Sequence, residues 1–165
     1  KTLTTVCRQS DVMSETTNTP SGTATDTAGA PAMTVWPCLN YRDARGAIDF
    51  LVRAFGFVST ATYASEGDES VIEHAELIWP EGGGVMLGTA DRSENPFSQL
   101  PTSCASVYVV TQHPDALFER AMAAGAELVR GLIDEDYGSR GFSVRDPEGN
   151  IWSFGTYRGH PVAQG

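Results

Sequence analysis

The chain has 165 residues, with 11 basic against 21 acidic side chains and a formal net charge of -10, which suits one domain of ordinary size. That balance, with no lysine or arginine run, excludes a nucleic-acid surface and favours solubility or cationic partners. No apolar run approaches the ~20 residues of a membrane span, and the three cysteines, Cys7, Cys38 and Cys104, are too far apart for a zinc site or disulfide framework, so the chain reads as cytoplasmic, with reduced thiols and no membrane partner.

Residues 1–33, with "SETTNTPSGTATDTAGAPA", hold almost no large apolar side chains, cannot offset their ordering entropy and are expected to be disordered. Met13 opens "MSETTNTP" inside this segment, which leaves the natural start open. The segment carries few of the acidic residues, so the acidity belongs to the domain beyond it. From Thr34 the pattern alternates. "TVWPCLN" reads as a strand, and Asp43 can cap a helix over "ARGAIDFLVRAFG", where Ile48, Leu51, Val52 and Phe55 form one stripe ended by Gly56. "FVSTATYAS", "SVIEHAELIW" and "GVMLGTA" come next as strands, the last two joined by a turn at "PEGGG".

The second half repeats that order. "CASVYVV" is a strand, a helix opens at Pro114 with Leu117, Ala121 and Ala124 in register before Gly125, and "ELVRGLI", "RGFSVRD" and "IWSFGTY" are strands. The last two flank Asp146-Pro147-Glu148-Gly149, a type I turn pattern. The chain therefore divides into module one (34–90) and module two (103–158), with a tail at 159–165, as a duplicated βαβββ unit of α+β class.

The duplicated unit, "NYRDARGAIDFLVRAFGF" and the hairpin "RDPEGNIWSF" resemble the vicinal oxygen chelate superfamily of glyoxalases, bleomycin resistance proteins and extradiol dioxygenases. With "YGSR" before it, the hairpin looks like the PhnB-like branch. The resemblance implies paired modules whose sheets curl into a cup around a ligand, usually in a homodimer. Metal-dependent members place His or Glu at one position on each of four strands. Carried over, those positions fall on Ser106 and Ser153 in module two and near Trp36 and Leu87 in module one. None is a good ligand, so the usual divalent ion is expected to be absent and no other cofactor is implied.

His74 and Glu76 sit two apart on a strand and share a face, where they could contact a polar ligand, move a proton or seed a displaced metal site. Tyr137 and Arg140 precede the hairpin; Arg140 shares a face with Phe142 and is either an anion anchor or half of a structural ion pair. On the last strand the metal register turns Ser153 toward the cup, so Trp152 and Phe154 pack as core and Tyr157 becomes a wall candidate. Trp36 is either a stacking wall for a planar ligand or core. His113 and His160 read as surface residues. The function these residues favour is metal-free binding or sequestration of a small hydrophobic or aromatic compound, an antibiotic such as bleomycin among them. The alternatives are a lyase, isomerase or dioxygenase acting through His74 and Glu76, and a scaffold whose cup is filled by its own side chains.

Overall fold

A computed structural model describes residues 34–92 and 95–161. The segment expected to be disordered, 1–33, and most of the expected tail, 162–165, lie outside the described residues. The elements run β1 (Cys38–Tyr41), α1 (Ala44–Phe50), β2 (Val58–Ser65), β3 (Asp68–Ile78), β4 (Gly84–Thr89), then β5 (Ser106–Val110), α2 (Pro114–Ala123), β6 (Glu127–Asp134), β7 (Arg140–Arg145) and β8 (Ile151–Gly155). Each half forms its own four-stranded sheet, ordered β1-β4-β3-β2 and β5-β8-β7-β6. In both, the first strand pairs in parallel and the other pairs are antiparallel. This is the expected α+β duplication of a βαβββ unit.

Local chemistry accounts for most element ends. Asp43 accepts from the Gly46 amide at 2.9 Å and caps α1. Pro114 opens α2, and Gly125 comes after it at φ +89°. Two readings need correction. β1 begins at Cys38 rather than Thr34, because Pro37 has no N–H to donate and contributes only its carbonyl, bonded to the Met86 amide at 2.9 Å. The helix expected through Phe55 is α-helical only to Phe50. Its last turn, Leu51–Phe55, is π-helical. Arg120 of module two takes the Arg53 carbonyl (2.7 Å) and the Val52 carbonyl (2.8 Å), while the Gly56 amide reaches back to Leu51 at 3.1 Å. A 3-10 turn at Pro96–Gln99, between the modules, was not anticipated; Asn95 caps it, accepting from the Phe97 amide at 3.0 Å, and Pro96 opens it.

The helix-facing sides of the two sheets share one core. Phe55 meets Trp152 and Phe154, with ring centroids 5.5 and 4.8 Å apart, and Phe57 meets Trp152 at 5.6 Å. Each of these fully buried side chains contributes about 1.5–3 kcal/mol. Trp152 and Phe154 are thus core, as alternation from Ser153 requires. Polar contacts stitch the same seam. The Trp79 indole donates to the Val110 carbonyl (2.8 Å), and Glu148 accepts from the Arg42 and Asp43 amides (3.0 and 2.7 Å). The Asp146 carboxylate, buried, accepts from the Tyr41 hydroxyl (2.8 Å), the Trp152 indole (3.0 Å), the Asn150 amide group (3.1 Å) and the backbone N–H groups of Glu148 and Asn150 (both 3.0 Å). The "DPEGN" hairpin is therefore the clasp that joins module two to module one, as well as a turn. Burial first, and then the charge of Asp146, push the Tyr41 phenol far above its ordinary pKa, so it stays a neutral donor.

Candidate functional site

Inward-facing residues alternate with those on the opposite, concave side of each sheet. In module one Leu77, Ala75, Val85 and Leu87 point inward. Leu87 is thus core, correcting its assignment to a cup position: the strand runs one residue out of the assumed phase, and Met86 takes the concave face. Met86 pairs in register with Cys38 on one side and Glu76 on the other. Trp36 lies just before β1, and its ring covers Gly84, where an added Cβ would approach to 2.8 Å. It forms the end of this concave face rather than its floor.

His74 and Glu76 lie together there. His74 Nε2 and Glu76 Oε1 are 3.1 Å apart, and both side chains are about one-third exposed, at 39% and 34%. Tyr63, opposite His74 across β2 and β3, stacks on the imidazole at 6.2 Å with 26° between planes. Glu73 is a bulge residue. Between the Tyr63–His74 and Ala64–Ile72 pairs β3 holds one residue more than β2, and the extra residue is turned toward the same cleft as His74. Gly88 makes room for it: a Cβ there would stand 3.1 Å from the Glu73 carbonyl. The signal was present in the sequence, since Ile72 and Ala75, both core, are three apart where a regular strand needs two or four.

The linker after β4 closes one side of this cleft. Asn40 donates to the Phe97 carbonyl at 2.6 Å, and Arg92 donates through Nε to the Thr89 carbonyl at 2.9 Å. The space enclosed, about 290 Å³, is walled by Met86, Phe97 and Leu100, with Asn40, Glu73, His74, Arg92 and Asn95 among its polar groups.

In module two, Ser153 faces the concave side and is bonded to Ser143 at 2.8 Å, while Ser106 stands on the same face of the neighbouring β5. Tyr108, two residues on from Ser106, is, like Tyr63, a wall residue that sequence reasoning missed, although alternation from Ser106 would have found it. It is 49% exposed, lies over Gly155 and accepts from the Tyr157 amide at 3.1 Å. Tyr157 in turn meets Tyr137 edge-on at 5.8 Å and the His160 ring at 6.1 Å. Partial desolvation, and then the Glu135 carboxylate, raise the Tyr137 phenol above its usual pKa. Tyr137 and Tyr157 are thus together at one end of the module-two face.

Arg140 does not join them. It faces α2 with Phe142, donating to Asp115 (2.9 and 2.7 Å) and Asp134 (2.9 Å). Of the two readings left open for it, the geometry is that of the structural ion pair. Its guanidinium holds the Asp115 carboxyl below the ordinary carboxylate range, chiefly by hydrogen bonding.

The donor set tests the fit of a divalent ion. Ser106, Ser153 and Trp36 are poor ligands, Leu87 points inward, and among the described residues no three His, Cys, Asp or Glu side chains converge. These residues do not fit the chelated metal of the metalloenzymes.

The two-sheet duplication and concave faces define a cup-type fold, and the chain belongs to the Glyoxalase/Bleomycin resistance protein/Dioxygenase superfamily, which it matches over residues 33–154. It is 36% identical over 124 residues to an uncharacterized protein of Mycobacterium bovis, a match spanning 72% of this chain and 80% of the relative. Its structure is similar to that of TioX from Micromonospora sp. ML1, with 34% identity, a TM-score of 0.61 and coverage of 74% of this chain and 98% of that one. A superfamily member from Sphaerobacter thermophilus shares the fold at 16% identity and TM-score 0.53, covering 74% of this chain and 97% of that one. Among the described residues no helix is long and apolar enough to cross a membrane.

Proposed function

We propose that the protein binds a small hydrophobic or aromatic compound without a metal ion, in a cup that two copies of the chain complete. The observation that carries this reading is the state of the concave faces. The modules use their helix-facing sides to make the shared core, which leaves both opposite faces uncovered, with Tyr63 at 62% and Tyr108 at 49% exposure. Beyond the cleft that the linker sides, a face of this kind encloses a ligand only when a second one meets it. At the positions where metalloenzymes carry charged ligands it offers hydroxyl groups and an indole, suited to hydrogen bonding and stacking. Trp36, Tyr63, Tyr108, Tyr137 and Tyr157 would be the walls, with His74, Glu76, Ser106 and Ser153 as the polar contacts. A chain of charge -10 concentrates cations near its surface, so a cationic aromatic compound, including an antibiotic, is the favoured class. Exposed free thiols at Cys38 and Cys104 suit a reducing, cytoplasmic setting.

Native mass spectrometry of protein purified without chelators tests this reading. A metal-free dimer that gains one organic ligand per cup is expected. A tightly held divalent ion in each protomer, lost in His74→Ala, would overturn it. A second reading, acid-base catalysis, rests on the 3.1 Å contact between His74 and Glu76. A carboxylate that accepts from Nε2 leaves Nδ1 of the neutral ring as a base. Turnover of a captured ligand, abolished in His74→Gln with binding retained, would establish that second reading.

A further inference from the structure

A second cavity lies on the other side of the sheets, at the seam where module one meets α2. It encloses about 330 Å³, at the lower end of small-molecule sites (~300–1,000 Å³). Its walls include Phe55, Trp79 and Leu117, all buried on their far sides in the shared core. Nothing in the cup reading uses it.

Its charged groups are the informative part. The π-helical turn ends at Gly56, and Arg120 spans it, spending Nε and Nη2 on the Arg53 and Val52 carbonyls. Nη1 makes no such bond among the described residues and lies directly over Gly56, where a Cβ would come within 2.7 Å of it. Gly56 and Arg120 both line the cavity, so the fork is held rigid by two bonds while a donor edge remains at the rim. Arg120 also borders an adjoining cleft lined by Arg53, and His113, whose ring makes no capping bond, lines the cavity too. The carboxylate of the same cavity, Glu81, is already engaged: it accepts from the Thr111 hydroxyl at 2.8 Å and the Gln112 amide at 3.0 Å. It also borders a different opening, beside Trp79 and β5. Arg120 and His113 thus stand with the engaged Glu81 around an apolar slot, and Arg53 borders the adjoining cleft.

We propose that the seam is a second binding site for a small aromatic carboxylate, whose ring lies against Trp79 and Leu117 and whose charge is met by Arg120 and Arg53. The Trp79 indole favours a planar ring over a flexible chain, and a carboxylate matches the donor that Arg120 keeps at Nη1. The proposal is independent of the cup.

The test is an amide and indole NMR titration of the full chain with 2-naphthoate, using 2-naphthylmethylamine as a cation of the same shape. Saturable shifts are expected at the Gly56 amide and the Trp79 indole with the acid and not with the amine. Ala116→Phe, which fills the slot from an exposed position of α2 and leaves the Arg120 bonds in place, should abolish them. Arg53→Gln should weaken the Kd about threefold to fivefold. Equal response to the amine, unchanged binding in Ala116→Phe, shifts confined to the cup residues His74 and Tyr108, or no shifts at millimolar acid would each overturn the proposal.

Discussion

Replacing Asp146 should damage the fold severely, as its carboxylate serves three buried side chains at once. In Asp146→Ala three buried side-chain donors, the Tyr41 hydroxyl, the Trp152 indole and the Asn150 amide group, lose their acceptor together. An orphaned buried donor costs about 1–3 kcal/mol, and the three relax partly and not additively, which places the loss at about 3–5 kcal/mol. That is a large share of an ordinary domain's ~5–15 kcal/mol. Asp146→Asn is not a mild substitute. Oδ2 faces the three side-chain donors and Oδ1 faces two backbone N–H groups, so either orientation of the amide sets its NH₂ against donors, for a loss of about 2–3 kcal/mol. Urea unfolding followed by tryptophan fluorescence measures both variants. In a double-mutant cycle with Tyr41→Phe the Asp146→Ala loss should shrink by about 1 kcal/mol, since one donor is already gone. An Asp146→Asn variant within about 0.5 kcal/mol of the parent would refute the clasp argument.

Tyr41, whose phenol is raised by burial, keeps its proton in the folded state while the unfolded chain ionises near the ordinary value of about 10. Stability should therefore be intact below that pH and fall as the pH rises beyond it, and Tyr41→Phe should flatten the decline in an alkaline unfolding series. Asp115 behaves in the opposite sense: depressed by Arg140, it supports the fold above the ordinary carboxylate value and loses that contribution as the pH falls through its lowered one. Arg140→Gln should return the Asp115 carboxyl toward the usual range in an NMR titration, and should leave ligand binding in the cup unaltered. Gly155→Ala would drive a methyl to 2.7 Å from the Tyr108 hydroxyl; displacing that ring should weaken cup-ligand affinity several-fold with a stability loss of about 1–3 kcal/mol, read by calorimetry and thermal melts.

How far the sequence could be read depended on the range of each interaction. The Asp43 cap, the Pro114 helix start, the Gly56 and Gly125 stops and the inward Trp152–Phe154 pair are written in spacings of two to four residues, and each was legible. The pairing of His74 with Glu76 on one face was legible for the same reason. The bulge at Glu73 was not anticipated, and the cup position carried over near Leu87 falls on Met86 instead, because the phase of a strand is settled by its pairing with the neighbouring strands. Arg140 could be assigned to a face but not to a partner, since Asp115 lies on a helix 25 residues away.

By itself the sequence determined the class of fold, the two modules and the alternation that separates core from concave face, because hydrophobic period, caps and turn residues act locally. The tertiary structure alone decided what those faces meet. The π-helical turn has its Val52 and Arg53 carbonyls bonded by Arg120, which arrives from the other module. Asp146 becomes a clasp because Tyr41, 105 residues earlier, is brought to it. The seam cavity exists only where the modules touch. Such contacts are set by how the two sheets pack, and no local spacing encodes the distance between residues that meet only after the chain has folded.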